Sequence, residues 1–203
     1  MRVPGSRHPA VRRCVPHVLA AGLACLLLLT GCTSLSGTGD QGFVTSDGSV
    51  KEVAVADRGD PISLAGRDLD GKDLDLASFR GKPVVAVVWG SWCTPCRAEA
   101  PDVVGAAKEL GDKAQFVGIN IRDGSTEQAS SFVRRFDVPY PSYYSPDGRA
   151  LLAFRGTLTP NSIPSFVVLD RQGRVAASII GQLPSRTTLV DVVKDVSEEQ
   201  ADG

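Results

Sequence analysis

Two cysteines, Cys93 and Cys96, stand where the sequence changes from a strand pattern to a helix pattern. Before them lies Val84–Val88, a continuous apolar run that is typical of a strand buried on both faces of an α/β sheet. After them a helical pattern continues to about Leu110, and Pro95 fits its first turn, where a missing N–H has no partner to lose. The pair is therefore tied to a strand-to-helix junction in a layered α/β domain.

The other elements predict a mixed central sheet flanked by helices. Asp70-Gly71 is a two-residue turn signal between alternating apolar residues, and it predicts an extra N-terminal β-hairpin over Ile62–Leu76. Ser125 opens a helix with a capping-box pattern. Further strands are predicted at 115–121, 165–170 and 174–180, and further helices at 149–154 and 185–199.

The first 31 residues have the composition of a secretion signal. They contain four arginines and no acidic residue, and their apolar run, Val18–Leu29, is too short for a stable membrane span. The run ends in Leu29-Thr-Gly-Cys32, which resembles the lipobox of bacterial lipoproteins, where the cysteine is lipidated and becomes the N-terminus. We expect a signal peptide at 1–31 and lipid on Cys32. An ordinary signal peptide with an incidental cysteine is the alternative.

A flexible tether follows the expected lipidation site. Residues 34–49 are rich in Ser, Gly, Thr and Asp and show no apolar periodicity. We expect the tether to cover 32–52 and one domain to cover 53–203. Together these segments predict a protein at the extracytoplasmic face of a bacterial cell membrane.

Removal of the signal would simplify the cysteine inventory. Cys14 and Cys25 would leave with it, and Cys32 would carry lipid, so that Cys93 and Cys96 would be the only thiols. A pair kept without other cysteines in a compartment that permits disulfides indicates a redox couple rather than a structural staple.

The overall charge argues against nucleic acid as a partner. The chain has 22 basic and 23 acidic residues, a net charge of −1, and without the four basic residues of the signal it has 18 and 23, or −5. Both histidines and the only methionine lie in the expected signal, so a zinc site would have to use carboxylates. We expect no metal and no cofactor.

The position of the pair predicts its chemistry. A thiolate is the form that attacks disulfides, and the unpaired N–H groups at a helix start favour negative charge on Cys93. We expect Cys93 to form a mixed disulfide with a partner and Cys96, one turn further and more buried, to displace that partner.

Pro164 is the second element of the expected site. A proline that opens a strand is often only an edge feature. Because Ile163-Pro164 precedes a strongly apolar strand in a chain that also carries the cysteine pair, we expect a cis-proline beside the cysteines. Ile163 would then present its backbone to an incoming peptide.

These residues together resemble the TlpA/ResA branch of the thioredoxin superfamily, from about Ala56 to Val196. The motifs that carry the resemblance are Asp70-Gly-Lys72, Phe79–Pro83, Trp89–Cys96, Glu99, Pro101, Asp137–Pro141, Pro146–Gly148 and Ile163–Asp170. The resemblance implies a thioredoxin-like fold and a membrane-tethered thiol–disulfide oxidoreductase. It also implies apocytochrome c as substrate, because the ResA and CcsX members reduce its haem-binding cysteines, and a CcdA-type membrane protein as electron donor.

The resemblance also assigns roles to individual residues. Glu99 corresponds to a glutamate that lies near the cysteines and tunes proton transfer, whereas a solvent-exposed helix carboxylate is the alternative. Val87 stands where thioredoxin has a buried aspartate, which leaves Glu99 as the nearest candidate carboxylate. Trp92 would form part of the docking surface, or it would simply be a packed aromatic residue.

Thr94 and Pro95 indicate the direction of electron flow. Oxidants of the DsbA type carry histidine before the second cysteine, whereas Pro95 is the thioredoxin choice and predicts a reducing couple, on the order of −250 mV. A general extracytoplasmic reductase and a DsbA/DsbE-like oxidant remain alternatives. A copper carrier is disfavoured because it would need His or Met beside the cysteines. A peroxidase is disfavoured because Ser91-Trp92 replaces its Thr-x-x-Cys pattern.

Overall fold

The computed structural model describes residues 48–199. The expected signal peptide, Cys32 and the first part of the expected tether lie outside the described residues. Within them no helix is long and apolar enough to cross a membrane. The strands of this part are β1 Val50–Glu52, β2 Ala65–Arg67, β3 Asp73–Asp75, β4 Val84–Trp89, β5 Gln115–Ile121, β6 Ser142–Ser145, β7 Ser165–Leu169 and β8 Val175–Ile180. Its α-helices are α1 Thr94–Leu110, α2 Thr126–Phe136 and α3 Arg186–Glu198.

Six strands form one mixed sheet in the order β1-β8-β7-β4-β5-β6. Strand β4 is central, with β5 parallel on one side and β7 antiparallel on the other. All six residues of β4 are buried, as its apolar run predicts. The predicted N-terminal hairpin is confirmed as β2–β3, a separate two-stranded sheet whose turn contains Asp70-Gly71.

Alternate residues of β4 belong to two hydrophobic cores, one on each face of the sheet, because successive side chains of a strand point to opposite faces. Val85, Val87 and Trp89 face a core that takes in buried residues of all three α-helices. Val84, Ala86 and Val88 face a second core, whose other buried residues include Leu76, Leu151 and Phe154. This second face is covered by short 3₁₀ helices at 76–79 and 149–154 instead of α-helices.

The sequence interpretation missed two strands. Strand β1 lies within the expected tether and pairs antiparallel with β8, so the tether boundary at 52 is corrected to before Val50. Its two exposed polar residues, Lys51 and Glu52, show no apolar alternation, and only pairing with β8 makes it a strand. Strand β6 follows Pro141 and is four residues long, too short for a clear pattern, yet it extends the sheet parallel to β5.

A buried ion network ties the start of the domain to its end. The side chain of Arg58 is 1% exposed, and its Nη1 lies 3.4 Å from Oδ2 of the fully buried Asp170. Its other terminal nitrogen pairs with Glu199 just after α3. Asp170 also accepts a hydrogen bond of 2.8 Å from Nε of Arg174. The network therefore joins the segment after β1 to the β7–β8 turn and to the C-terminal helix.

We expect Arg58→Ala to lower the free energy of unfolding by about 3–5 kcal/mol, because it leaves the carboxylate of Asp170 buried without this partner. Urea denaturation measures the change. Arg67→Ala is the matched control, since its pair with Asp73 has side chains 70% and 90% exposed. It should cost about 1 kcal/mol or less. Equal losses in the two variants would show that the Arg58 network does not hold the domain together.

Candidate active site

The chain delivers Cys93 from the end of β4 to the start of α1. Cys93 is the N-cap of α1, and its Sγ accepts a hydrogen bond of 3.2 Å from the backbone N–H of Cys96. Gly90 permits the tight path between strand and helix, because a Cβ there would lie 2.7 Å from Nε1 of Trp92 and 3.0 Å from the carbonyl oxygen of Ile121. Pro95 occupies the first turn, as expected.

Cys93 and Cys96 are joined by a disulfide, with their Cα atoms 5.3 Å apart. The expectation that Cys96 is the more buried of the two is wrong, since both residues are 3% exposed. The sulfur of Cys93 is bonded to the sulfur of Cys96 and accepts a hydrogen bond from the N–H of Cys96, so it lies against the start of α1. The same N–H would stabilise a thiolate on Cys93 once the disulfide is reduced.

The sequence interpretation missed Asp123, which fixes the loop before Cys93. Asp123 is 2% exposed. Its carboxylate accepts hydrogen bonds from the backbone N–H of Ser91 at 3.0 Å, from Oγ of Ser91 at 2.6 Å and from Nδ2 of Asn120 at 2.6 Å. The sequence did contain a signal for it. Asn120 and Asp123 are polar residues at the carboxyl end of β5, the edge of an α/β sheet where functional sites usually lie.

Trp92 lies on the surface next to the pair. Its side chain leaves the residue 48% exposed, and its Nε1 donates to the carbonyl oxygen of Ile121 at 3.3 Å. About half of its surface is therefore open to solvent beside the pair. Thr94 is exposed and Pro95 is half-buried in the adjoining first turn of α1.

The expected cis peptide bond is present between Ile163 and Pro164. Pro164 is buried and Ile163 is half-buried. Because Ser165 pairs with Val88 in the sheet, Pro164 lies beside the end of β4, from which the chain runs to the cysteines. The register of the sheet thus brings together two motifs that are about 70 residues apart in the sequence.

Glu99 is buried instead of solvent-exposed. It is 8% exposed, and its Oε2 accepts a hydrogen bond of 2.9 Å from the backbone N–H of Leu183. Burial raises the pKa of Glu99 to about 7, the Leu183 hydrogen bond opposes this rise, and the charge of Asp102 adds to it. The carboxyl group therefore titrates near neutral pH.

Glu99 and Cys96 line the same small cavity beneath α1. The cavity has a volume of about 20 Å³, and Trp89, Phe132 and Tyr140 contribute to its wall. A volume of this size accommodates about one water molecule. Burial raises the pKa of Tyr140, and the nearby charge of Glu99 raises it further.

The described part of the chain holds no group of three or more His, Cys, Asp or Glu residues that is arranged to bind a metal ion. The polar chemistry of the site consists of the disulfide, the carboxyl group of Glu99 and the hydrogen bonds that position the loop.

Comparison with known proteins places this geometry in a family. Residues 49–196 match the Redoxin family model. The chain is 28% identical over 161 residues to thiol-disulfide oxidoreductase ResA of Bacillus cereus, covering 77% of this chain and 86% of ResA. It is 27% identical over 161 residues to thiol:disulfide interchange protein HelX of Rhodobacter capsulatus, covering 78% and 85% of the two chains.

A solved relative confirms the thioredoxin-like fold. A DsbF homologue from Corynebacterium diphtheriae superposes with a TM-score of 0.68 at 32% identity, covering 75% of this chain and 97% of that one. The chain therefore belongs to the Redoxin family, and it is a thiol–disulfide oxidoreductase of the ResA/HelX type whose redox pair is Cys93 and Cys96.

Proposed function

We propose that this oxidoreductase reduces protein disulfides at the extracytoplasmic face of a bacterial cell membrane, and that its substrate is apocytochrome c. The observation that carries the proposal is the Cys93–Cys96 disulfide at the start of α1, beside the exposed Trp92. The signal-like segment 1–31 and the lipobox at Cys32 support export and lipid anchoring. The similarity to ResA and HelX supports the substrate.

The reaction proceeds by two thiol–disulfide exchanges. The Cys93 thiolate attacks one sulfur of the substrate disulfide, forms a mixed disulfide and releases the other substrate sulfur as a thiolate. Cys96, as a thiolate, then attacks the sulfur of Cys93 and releases the second substrate thiolate. Two electrons pass to the substrate, the released thiolates take up two protons, and Cys93 and Cys96 end as a disulfide. A CcdA-type membrane protein returns two electrons to the pair.

The docking role falls to Trp92, Ile163 and Pro164. Trp92 presents apolar surface next to the reacting sulfur. The backbone N–H of Ile163 already donates to the carbonyl oxygen of Asn161 at 2.9 Å, so an incoming peptide would pair with the Ile163 carbonyl oxygen. The sequence predicted that the backbone of Ile163 as a whole would pair with a peptide, and the structure leaves its carbonyl oxygen as the group for this role.

Glu99 is the proton-transfer group for Cys96. The resolving cysteine must lose its proton before it attacks, and the carboxylate of Glu99 shares a cavity with it that has room for about one water molecule. With its pKa raised to about 7, Glu99 can both accept and return a proton near neutral pH. Its position three residues after Cys96 places both side chains on one face of α1.

Thr94 and Pro95 set the couple towards reduction. We expect a reduction potential on the order of −250 mV for Cys93–Cys96, measured by equilibration with glutathione or with a thioredoxin of known potential. Pro95→His should move the potential to a less negative value. A wild-type potential near about −120 mV, the value typical of DsbA, would establish the disulfide-forming oxidant instead.

We expect Cys96→Ser to trap the substrate, because the mixed disulfide on Cys93 then has no resolving thiol. In cells that make cytochrome c, mass spectrometry of the trapped complexes should identify apocytochrome c. Cys93→Ser, which leaves Cys96 as the only cysteine of the pair, should trap much less. Capture of many exported proteins in proportion to their abundance would support the general reductase instead.

We expect Glu99→Gln to slow the resolution of the mixed disulfide by about 10–100-fold at neutral pH, as loss of a proton-transfer group does. In the wild type this rate should rise as pH passes through about 7, because deprotonated Glu99 accepts the proton of Cys96. In the variant the inflection should move towards the pKa of an ordinary thiol, about 8.5. Stopped-flow measurement of the second exchange at several pH values tests this.

Stability measurements serve as the control for this variant. The folded-state pKa of Glu99 is raised above its unfolded value of 4.5, so its stabilising contribution is present below that value and is lost as pH rises through about 7. The free energy of unfolding of the wild type should therefore fall relative to that of Glu99→Gln over this range. A change in stability without a change in the pH–rate profile would make Glu99 a structural residue only.

A further inference from the structure

A wide groove lies directly beside the redox pair. It has a volume of about 640 Å³ and runs between the loop before Cys93, the first turns of α1, the loop after β5 and the side of α2. We call it the arginine groove, and the residues that define it are Ser91, Trp92, Arg97, Arg122, Asp123 and Arg135. Since Ser91 and Trp92 immediately precede Cys93, the groove borders the loop that leads to the reacting cysteine.

The charge of the groove is positive. Arg97, Arg122 and Arg135 are all exposed, and in the structure of residues 48–199 none of them forms an ion pair with a carboxylate. The one acidic residue in the lining, Asp123, is buried and accepts hydrogen bonds from Ser91 and Asn120. The positive groove contrasts with the rest of the chain, because residues 32–203 contain 18 basic and 23 acidic residues.

The arginines are held in position by the fold. Arg122 has a φ of 60°, in the left-handed region that a residue with a side chain seldom adopts. Its Nη2 donates to the carbonyl oxygen of Pro160 at 2.6 Å and to Oδ1 of Asn161 at 3.0 Å, in the loop that leads to Pro164. The other N–H groups of its guanidinium remain for a ligand.

Arg97 and Arg135 are fixed by a shared aromatic ring. Their guanidinium carbons lie 5.8 Å and 5.7 Å from the ring centroid of Phe136. Arg97 also donates to the carbonyl oxygen of Ser91 at 3.2 Å. Arginine side chains that are already ordered lose less conformational entropy when they bind a carboxylate.

We propose that the arginine groove binds an acidic segment of the substrate polypeptide, next to the disulfide that Cys93 attacks. Guanidinium groups bind carboxylates in a paired geometry, and the exposed Trp92 supplies apolar contact. Protein interfaces favour this combination of arginine and aromatic residues. The occupant is a segment of the protein substrate, because the groove borders the loop that leads to Cys93 and its positive charge complements carboxylates. This inference rests on the proposed function, and it adds the charge that substrates carry beside their cysteines.

The test compares three peptides with the same internal Cys-x-x-Cys disulfide and flanks of glutamate, glutamine or lysine. The second-order rate constant for their reduction by the reduced full chain is measured at low ionic strength and at about 0.5 M salt, where charge effects are screened. We expect the glutamate peptide to react about tenfold faster than the glutamine peptide at low salt, since opposite charges attract each other at contact distance even in water. The lysine peptide should react more slowly than both.

Substitutions test whether the arginines of the groove cause the rate advantage of the glutamate peptide. Arg122→Gln together with Arg135→Gln should abolish the advantage of the glutamate peptide, so that the glutamate and glutamine peptides react at equal rates with this variant. The matched control is Arg134→Gln together with Arg155→Gln, which removes the same charge from exposed arginines outside the groove lining and should retain the advantage. The reduction potential of the pair, measured in both double variants, shows that the redox chemistry itself is unaltered.

A glutamine peptide that reacts as fast as the glutamate peptide would overturn the docking proposal and leave the reductase function intact. If no peptide is reduced, the proposed function fails, and docking is judged by nuclear magnetic resonance with a cysteine-free glutamate peptide. Shifts of the amide signals of Arg122 and Arg135 that the glutamine peptide does not cause would support the groove, and their absence would overturn it. Binding to phosphatidylglycerol vesicles that the Arg122/Arg135 double variant loses, without any peptide preference, would identify a membrane-facing surface and overturn the proposal.

Discussion

The site depends on the pairing of β4 with a strand on each side. Backbone hydrogen bonds hold it parallel to β5 and antiparallel to β7, and all six of its residues are buried. This pairing fixes where the strand ends and therefore where Cys93 begins α1. It also sets two neighbours of that end, because Trp89 pairs with Asn120 and Val88 pairs with Ser165. The register of β4 therefore places two features near the strand end that leads to Cys93: Asp123, which anchors the loop, and the cis-proline Pro164.

Burial affects the two sides of α1 differently. On the inner side, Glu99 loses water and gains one hydrogen bond from Leu183, which is too little to keep its carboxyl group as acidic as a surface carboxylate. On the outer side, Arg97 and Trp92 stay in contact with solvent and with any partner. The helix therefore separates a nearly closed side, which holds the carboxyl group of Glu99, from an open side that carries the exposed side chains of Arg97 and Trp92.

Local patterns predicted the elements whose own residues carry the signal. The hairpin follows from Asp70-Gly71, because that turn type needs few other contacts. The start of α2 follows from Ser125, whose Oγ accepts a hydrogen bond from the N–H of Gln128. Strands β1 and β6 escaped prediction because they are short edge strands, defined by their partners instead of by their own composition.

The sequence by itself determined the redox pair, the strand that leads to it, the helix that begins at it and the cis-proline at the start of the neighbouring strand β7. These features are encoded within a few residues, through apolar runs, turn dipeptides and the spacing of Cys93 and Cys96. Only the tertiary structure decided that Asp123 anchors the loop, that Glu99 is buried and that three arginines form one groove. Each of these depends on contacts between segments far apart in the chain, and burial and charge proximity do not exist until the sheet has assembled.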